Sequence, residues 1–181
     1  MFSFFIPEKD NPEKYRDLVM ERWNTFISTA NGSGLILLHE NEKNIYGDSA
    51  ERCLDILQTM NCSYLKVVFD PANFVQCNLE SYPKSFEILK DYIVYVHIKD
   101  ARYKDFKVMP AGYGDGKVQE ILYMLKKRNF NGFISLEPHL ASFIGLNSLE
   151  LNSKNQNIQS EGYKEFEEAI KALKKILSSI S

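Results

Sequence analysis

The chain has 181 residues, 44% hydrophobic and 25% charged, enough to bury one core and short for two. Its 22 basic and 24 acidic residues leave a net charge of −2, which offers no electrostatic drive toward nucleic acid or a membrane surface. Cys53, Cys62 and Cys77 form no C-x-x-C pair and are odd in number, which argues against a disulfide framework and for buried thiols in a reducing cytoplasm. The opening MFSFFIPEKDNPEK is apolar for about six residues and then acidic, unlike a signal peptide, and no run reaches the ~20 residues of a membrane span. One cytoplasmic domain over residues 1–181 is expected.

After MFSFFI, read as the middle of a strand, the segment DNPEKYRDLVMERWNTFISTANG predicts a helix capped by Asn11, with Pro12 in its first turn and Gly32 at its end. Tyr15, Leu18, Val19, Trp23, Phe26 and Ile27 form its apolar stripe. GLILLHE predicts a strand, and SAERCLDILQTM a helix whose Asp48 and Glu51 stand as a capping box. YLKVVFD is a strand with a return helix around SYPKSFEILKDY. YIVYVHIKD is a strand followed by the helix GKVQEILYMLKKRN, with Val118, Ile121, Leu122 and Leu125 on one face. GFISLEP is the last strand and EGYKEFEEAIKALKKILSSI the closing helix. Near-continuous apolar strands alternating with helices indicate an α/β fold with a parallel sheet, about five βα units long. Residues 140–162, rich in Asn and Ser, exceed an ordinary βα loop and are read as a lid or a disordered insertion.

Four strands share one habit: LILLHEN ends at Glu40, KVVFDPAN at Asp70, VYVHIKD at His97 and FISLEPH at Glu137. In a parallel sheet these ends lie on one face, where side chains from several strands converge. A single carboxylate at such an end is usually a solvated loop residue; four ligand-type residues on consecutive strands are much harder to dismiss. Carboxylates held together repel or take up protons unless a cation neutralises them, and a divalent metal is the economical cation. Two glutamates, an aspartate and an imidazole, with no thiol, suit Mn²⁺ or Mg²⁺ first and Co²⁺ or Zn²⁺ second.

The motifs HEN, FDPAN, HIKDA, PAGYGDG and LEPH, in this order and spacing, resemble the xylose-isomerase-like (β/α)₈ barrels. That family includes sugar and sugar-phosphate isomerases and epimerases and the endonuclease IV type. The resemblance runs from about Met1 to the final helix. It implies that Glu40, Asp70, His97 and Glu137 ligate one divalent metal, and that Glu40 and Glu137 also exchange a proton at the carbon beside a bound carbonyl. A metal chelating a ketose carbonyl and hydroxyl acidifies the C–H between them and stabilises the enediolate, and carboxylates on opposite sides can move the proton.

Lys99 alternates in phase with His97, so it faces the same side, either holding a phosphate, carboxylate or oxyanion or pairing with Asp100 or another local acid. Asp100 is read as orienting the turn or Lys99. Asn73 stands where many members carry histidine and is expected to bond a sugar hydroxyl. His139 is read either as substrate-binding or as a solvated loop histidine. The PAGYGDG glycines permit a tight turn or cradle a phosphate.

Only His39, His97 and His139 are present, too few for the trinuclear zinc site of the endonuclease IV type, so DNA repair ranks behind sugar chemistry. A whole (β/α)₈ barrel takes about 250 residues. The chain therefore reads as the C-terminal part of one, an N-terminally truncated member with open sheet edges, and a homo-oligomer is expected to cover them. The alternative is a non-catalytic metal-binding or structural remnant.

Overall fold

The structure, a computed structural model, describes residues 1–140 and 161–180. Helix α1 spans Arg16–Ala30, strand β1 Leu37–Glu40, α2 Ala50–Met60 and β2 Leu65–Phe69. A short α3, Pro71–Gln76, and one further turn, α4, Phe86–Leu89, precede β3, Ile93–Ile98. The two-residue strands β4, Asp100–Ala101, and β5, Val108–Met109, form a small antiparallel pair, and α5, Val118–Lys127, β6, Phe133–Leu136, and α6, Glu161–Ser179, follow.

The main sheet has the order β1-β2-β3-β6, parallel throughout. Consecutive parallel neighbours with helical crossovers are what one arc of a (β/α) barrel contains, so the α/β, partial-barrel reading holds. The expected opening strand reduces to one rung. The Met1 amino group donates to Leu38 O at 2.6 Å and Glu40 N to Met1 O at 3.2 Å, which sets Met1 opposite His39 as in a parallel ladder. The chain then leaves the sheet, because Pro7 follows Ile6 and cannot donate to a ladder.

Strand alternation sorts the side chains. Val67, Phe69, Val96 and Ile98 face the helices and join Trp23, Ile56, Ile121 and Ile176 in one fully buried core. All four residues of the α5 stripe are buried, whereas Leu18 on α1 is 43% exposed and Met20 lies inside instead. Cys53, Cys62 and Cys77 are free, and burial pushes the Cys53 thiol up, so it behaves as a small apolar side chain. No helix among the described residues is long and apolar enough to cross a membrane.

Two local readings are corrected. The cap of α2 is Ser49, whose hydroxyl accepts from Arg52 N at 3.3 Å, because Asp48 is drawn to the Arg52 guanidinium. The helix after β2 is not one element. Asp70 caps α3 through Asn73 N, and Tyr82, extended at φ −140°, ψ 135°, interrupts the chain before α4. Residues 141–160 of the expected lid lie outside the described residues.

Candidate metal centre

The strand ends bring four groups together. One ligand atom from each of Glu40, Asp70, His97 and Glu137 lies within 4.8 Å of the others. Glu40 closes β1, Asp70 follows β2, His97 lies near the end of β3 and Glu137 follows β6. Alternation turns these residues to one face and their neighbours to the other: His39, beside Glu40, is only 1% exposed and packs edge-on against Trp23.

Glu40 Oε1 lies 2.7 Å from His97 Nδ1, and Glu137 Oε2 lies 3.2 Å from the same nitrogen. Lys99, also projecting to this face, donates from Nζ to Glu137 Oε2 at 3.0 Å and sits 2.9 Å from Asp70 Oδ2. The Lys99 side chain is 3% exposed and that of Asp70 wholly buried. His139 Nε2 stands 3.6 Å from Glu137 Oε1 at the exposed rim.

Electrostatics follow from this crowding. Burial opposes charge on His97, but its hydrogen bonds to Glu137 and Glu40, and their charges, outweigh that and raise the imidazole to about 10. Burial likewise works against the Lys99 ammonium, yet Asp70 and Glu137 hold it above its ordinary value. Burial would raise the Glu137 carboxyl, but His97 and Lys99 keep it well below the usual range. Burial pushes Asp70 up to about 7 against the pull of Lys99. The carboxyl groups of the cluster thus face an imidazolium and an ammonium, whose charge a bound cation would have to replace.

The donor set fits a divalent metal. Asp70 Oδ2 is buried with no aligned hydrogen-bond donor, since the Lys99 ammonium is near it but off the hydrogen-bonding direction. Such an oxygen, with two further carboxylates and an imidazole beside it, is a ready ligand for a hard or borderline cation.

Residues around the centre brace it. Asn41, assigned no role from sequence, is fully buried and ties the strand ends together: its Nδ2 donates to Asp70 O and its Oδ1 accepts from Asp70 N, both at 2.9 Å. Asn73, expected at a substrate hydroxyl, is 1% exposed and donates from Nδ2 to Asn41 O at 2.8 Å. Its amide nitrogen therefore braces the β1 and β2 ends. The signal for Asn41 was its place in HEN, next to Glu40.

The glycine-rich turn holds a carboxylate of this chain in place of a phosphate. Asp100 accepts from Gly112 N and Gly114 N at 3.0 Å on Oδ2, and from Gly116 N and Ala101 N at 2.8 Å on Oδ1. A Cβ on Gly114 would stand 2.4 Å from Asp100 Oδ1 and from Ala101 O, so the backbone approaches as closely as it does only without a side chain. Asp100 orients this turn, and Lys99 is left to Asp70 and Glu137.

Comparison with known proteins bears on this geometry. Residues 3–176 match the family described as xylose isomerase-like TIM barrel. The chain belongs to that family. Among solved structures, L-ribulose 3-epimerase superposes with a TM-score of 0.72 at 13% identity, covering 97% of this chain and 58% of that one. D-psicose 3-epimerase from Clostridium cellulolyticum H10, solved with D-tagatose, gives 0.67 at 17%, covering 99% and 61%. The IOLI protein, solved with a zinc atom, gives 0.71 at 16%, covering 98% and 62%. At these identities the likeness shows the fold alone, and the chain spans less than two thirds of each neighbour. No curated protein matches the sequence.

Proposed function

We propose that the chain carries the metal centre of a divalent-metal-dependent sugar or sugar-phosphate isomerase or epimerase. The observation that carries this reading is the convergence of Glu40, Asp70, His97 and Glu137 at the ends of four adjacent parallel strands. Sugar epimerases among the structural neighbours support it. A divalent cation held there, Mn²⁺ or Mg²⁺ by its oxygen-rich donors, would supply Lewis acidity to a ketose carbonyl and its adjacent hydroxyl.

The chain's own groups do the rest. Glu137 and Glu40, which flank His97, are placed to accept a proton from carbon and to return one. His139, at the rim beside Glu137, is placed to meet a sugar hydroxyl.

The test is solvent exchange. With Mn²⁺ in D₂O, the wild type is expected to place deuterium at the carbon beside the carbonyl of a ketose or ketose phosphate. Glu137→Gln should slow this by roughly 10²–10⁴-fold. Exchange that is absent from a panel of ketoses, or indifferent to Glu137→Gln, would contradict the proposal.

The free thiols fit a reducing cytoplasm. A homo-oligomer is also part of this reading. Among the described residues β6 pairs only with β3, and its Phe133 and Ile134 are 72% and 38% exposed; beside the opposite edge, Leu35 and Ile36 are 64% and 59% exposed. Open edges flanked by apolar side chains favour pairing with a second copy. Light scattering should show an assembly that Phe133→Glu shifts to monomer; a monomeric wild type would refute the assembly.

A further inference from the structure

Lys99 occupies an unusual place: a nearly buried ammonium inside the ligand cluster itself. Its Nζ is 2.9 Å from Asp70 Oδ2 and 3.0 Å from Glu137 Oε2, both carboxylates of the candidate metal centre. It has no tie to Asp100, whose carboxylate is taken by four backbone amides. A unit charge at hydrogen-bond distance from two ligand oxygens competes with a divalent cation for them, since like charges brought that close repel.

We infer that Lys99 is an exchangeable counter-cation of the metal-free protein, which must leave Asp70 and Glu137 when a divalent metal binds. The inference rests on the metal-centre reading above. Its physical basis is the cost of carboxylates grouped in a part-buried site. Without a metal, the ammonium keeps Asp70 and Glu137 together and the ligand set assembled. With a metal, that neutralisation is redundant, and the long four-carbon stem of lysine lets the ammonium swing away while its root stays on the strand. Metal affinity is then set by a competition that the chain supplies itself.

Two measurements test this. Co²⁺ affinity, read by competition with a chromophoric chelator, is expected to be at least tenfold tighter in Lys99→Met than in wild type. Equal or weaker binding would overturn the inference while leaving the metal centre intact. Failure of wild type and variant alike to bind Co²⁺ would overturn both readings. In wild type alone, an amine-reactive reagent followed by peptide mass analysis should modify Lys99 at least tenfold faster with Co²⁺ present than without it. Equal or slower modification of Lys99 in the loaded protein would mean that the ammonium stays in place, and the inference would be wrong even if Lys99→Met could not be folded.

Discussion

Asp70→Asn is expected to reduce divalent-metal affinity by roughly 100-fold or more, because losing a group that merely supports a ligand already costs 10–100-fold. The same substitution should leave the metal-free protein no less stable, and above pH 7 more stable. Asparagine can still cap α3 by accepting from Asn73 N, as Asp70 Oδ1 does now. It cannot carry the buried charge. The Asp70 carboxyl stands at about 7 in the fold against an ordinary 3.8. Its raised value contributes stability that is fully present below the unfolded value and lost as pH rises through the folded one. As pH rises through neutrality, ionising this buried carboxyl therefore costs the fold stability, less what the charge returns through the Lys99 ammonium beside it. Denaturant unfolding at pH 8 with chelator present measures the expected gain, and a clear loss of stability would show that the pair with Lys99 dominates. A carboxylate that costs stability in the metal-free fold is what a ligand site would show.

His39 is expected to oppose Asp70 in the same pH window. Its ring is buried against Trp23 with neither nitrogen hydrogen-bonded, and burial pushes the imidazole down to about 3 from 6.5. A lowered histidine contributes stability that is present above 6.5 and is lost as pH falls toward 3, at about 1.4 kcal/mol per pH unit. Between about pH 4 and 6.5 the two slopes run in opposite directions and largely cancel. His39→Leu removes only one of them, and leucine loses no hydrogen bond there. Relative to wild type, the variant should gain about 3 kcal/mol between pH 6.5 and pH 4. Urea unfolding at the two pH values reads this directly, and parallel pH profiles would refute it.

The strands were legible because buried parallel strands write themselves as apolar runs, and α5 because its stripe repeats at helical spacing. The four candidate ligands were legible for the same reason, each standing where such a run ends, Glu40 directly after the buried His39. What surrounds them was less so. Strand phase put Lys99 on the right face, but its partners depend on where the β2 and β6 ends lie in space. Three of the four amides that hold Asp100 come from residues 12 to 16 positions away, beyond any local pattern. Asn41 looked like an ordinary polar residue after a strand, although its side chain matches the backbone of Asp70 on the next strand. The α2 cap was misread because Asp48 and Ser49 are both good caps, and only the pull of Arg52 on Asp48 separates them.

Metal content is the most direct measure of the central claim. The purified protein, stripped with chelator and re-dialysed against Mn²⁺, Co²⁺ or Zn²⁺, should retain close to one ion per chain by elemental analysis, while Asp70→Asn under the same dialysis retains almost none. A wild type that holds no ion, or an Asp70→Asn variant that holds as much as wild type, would contradict the assignment of this strand-end cluster as a metal centre.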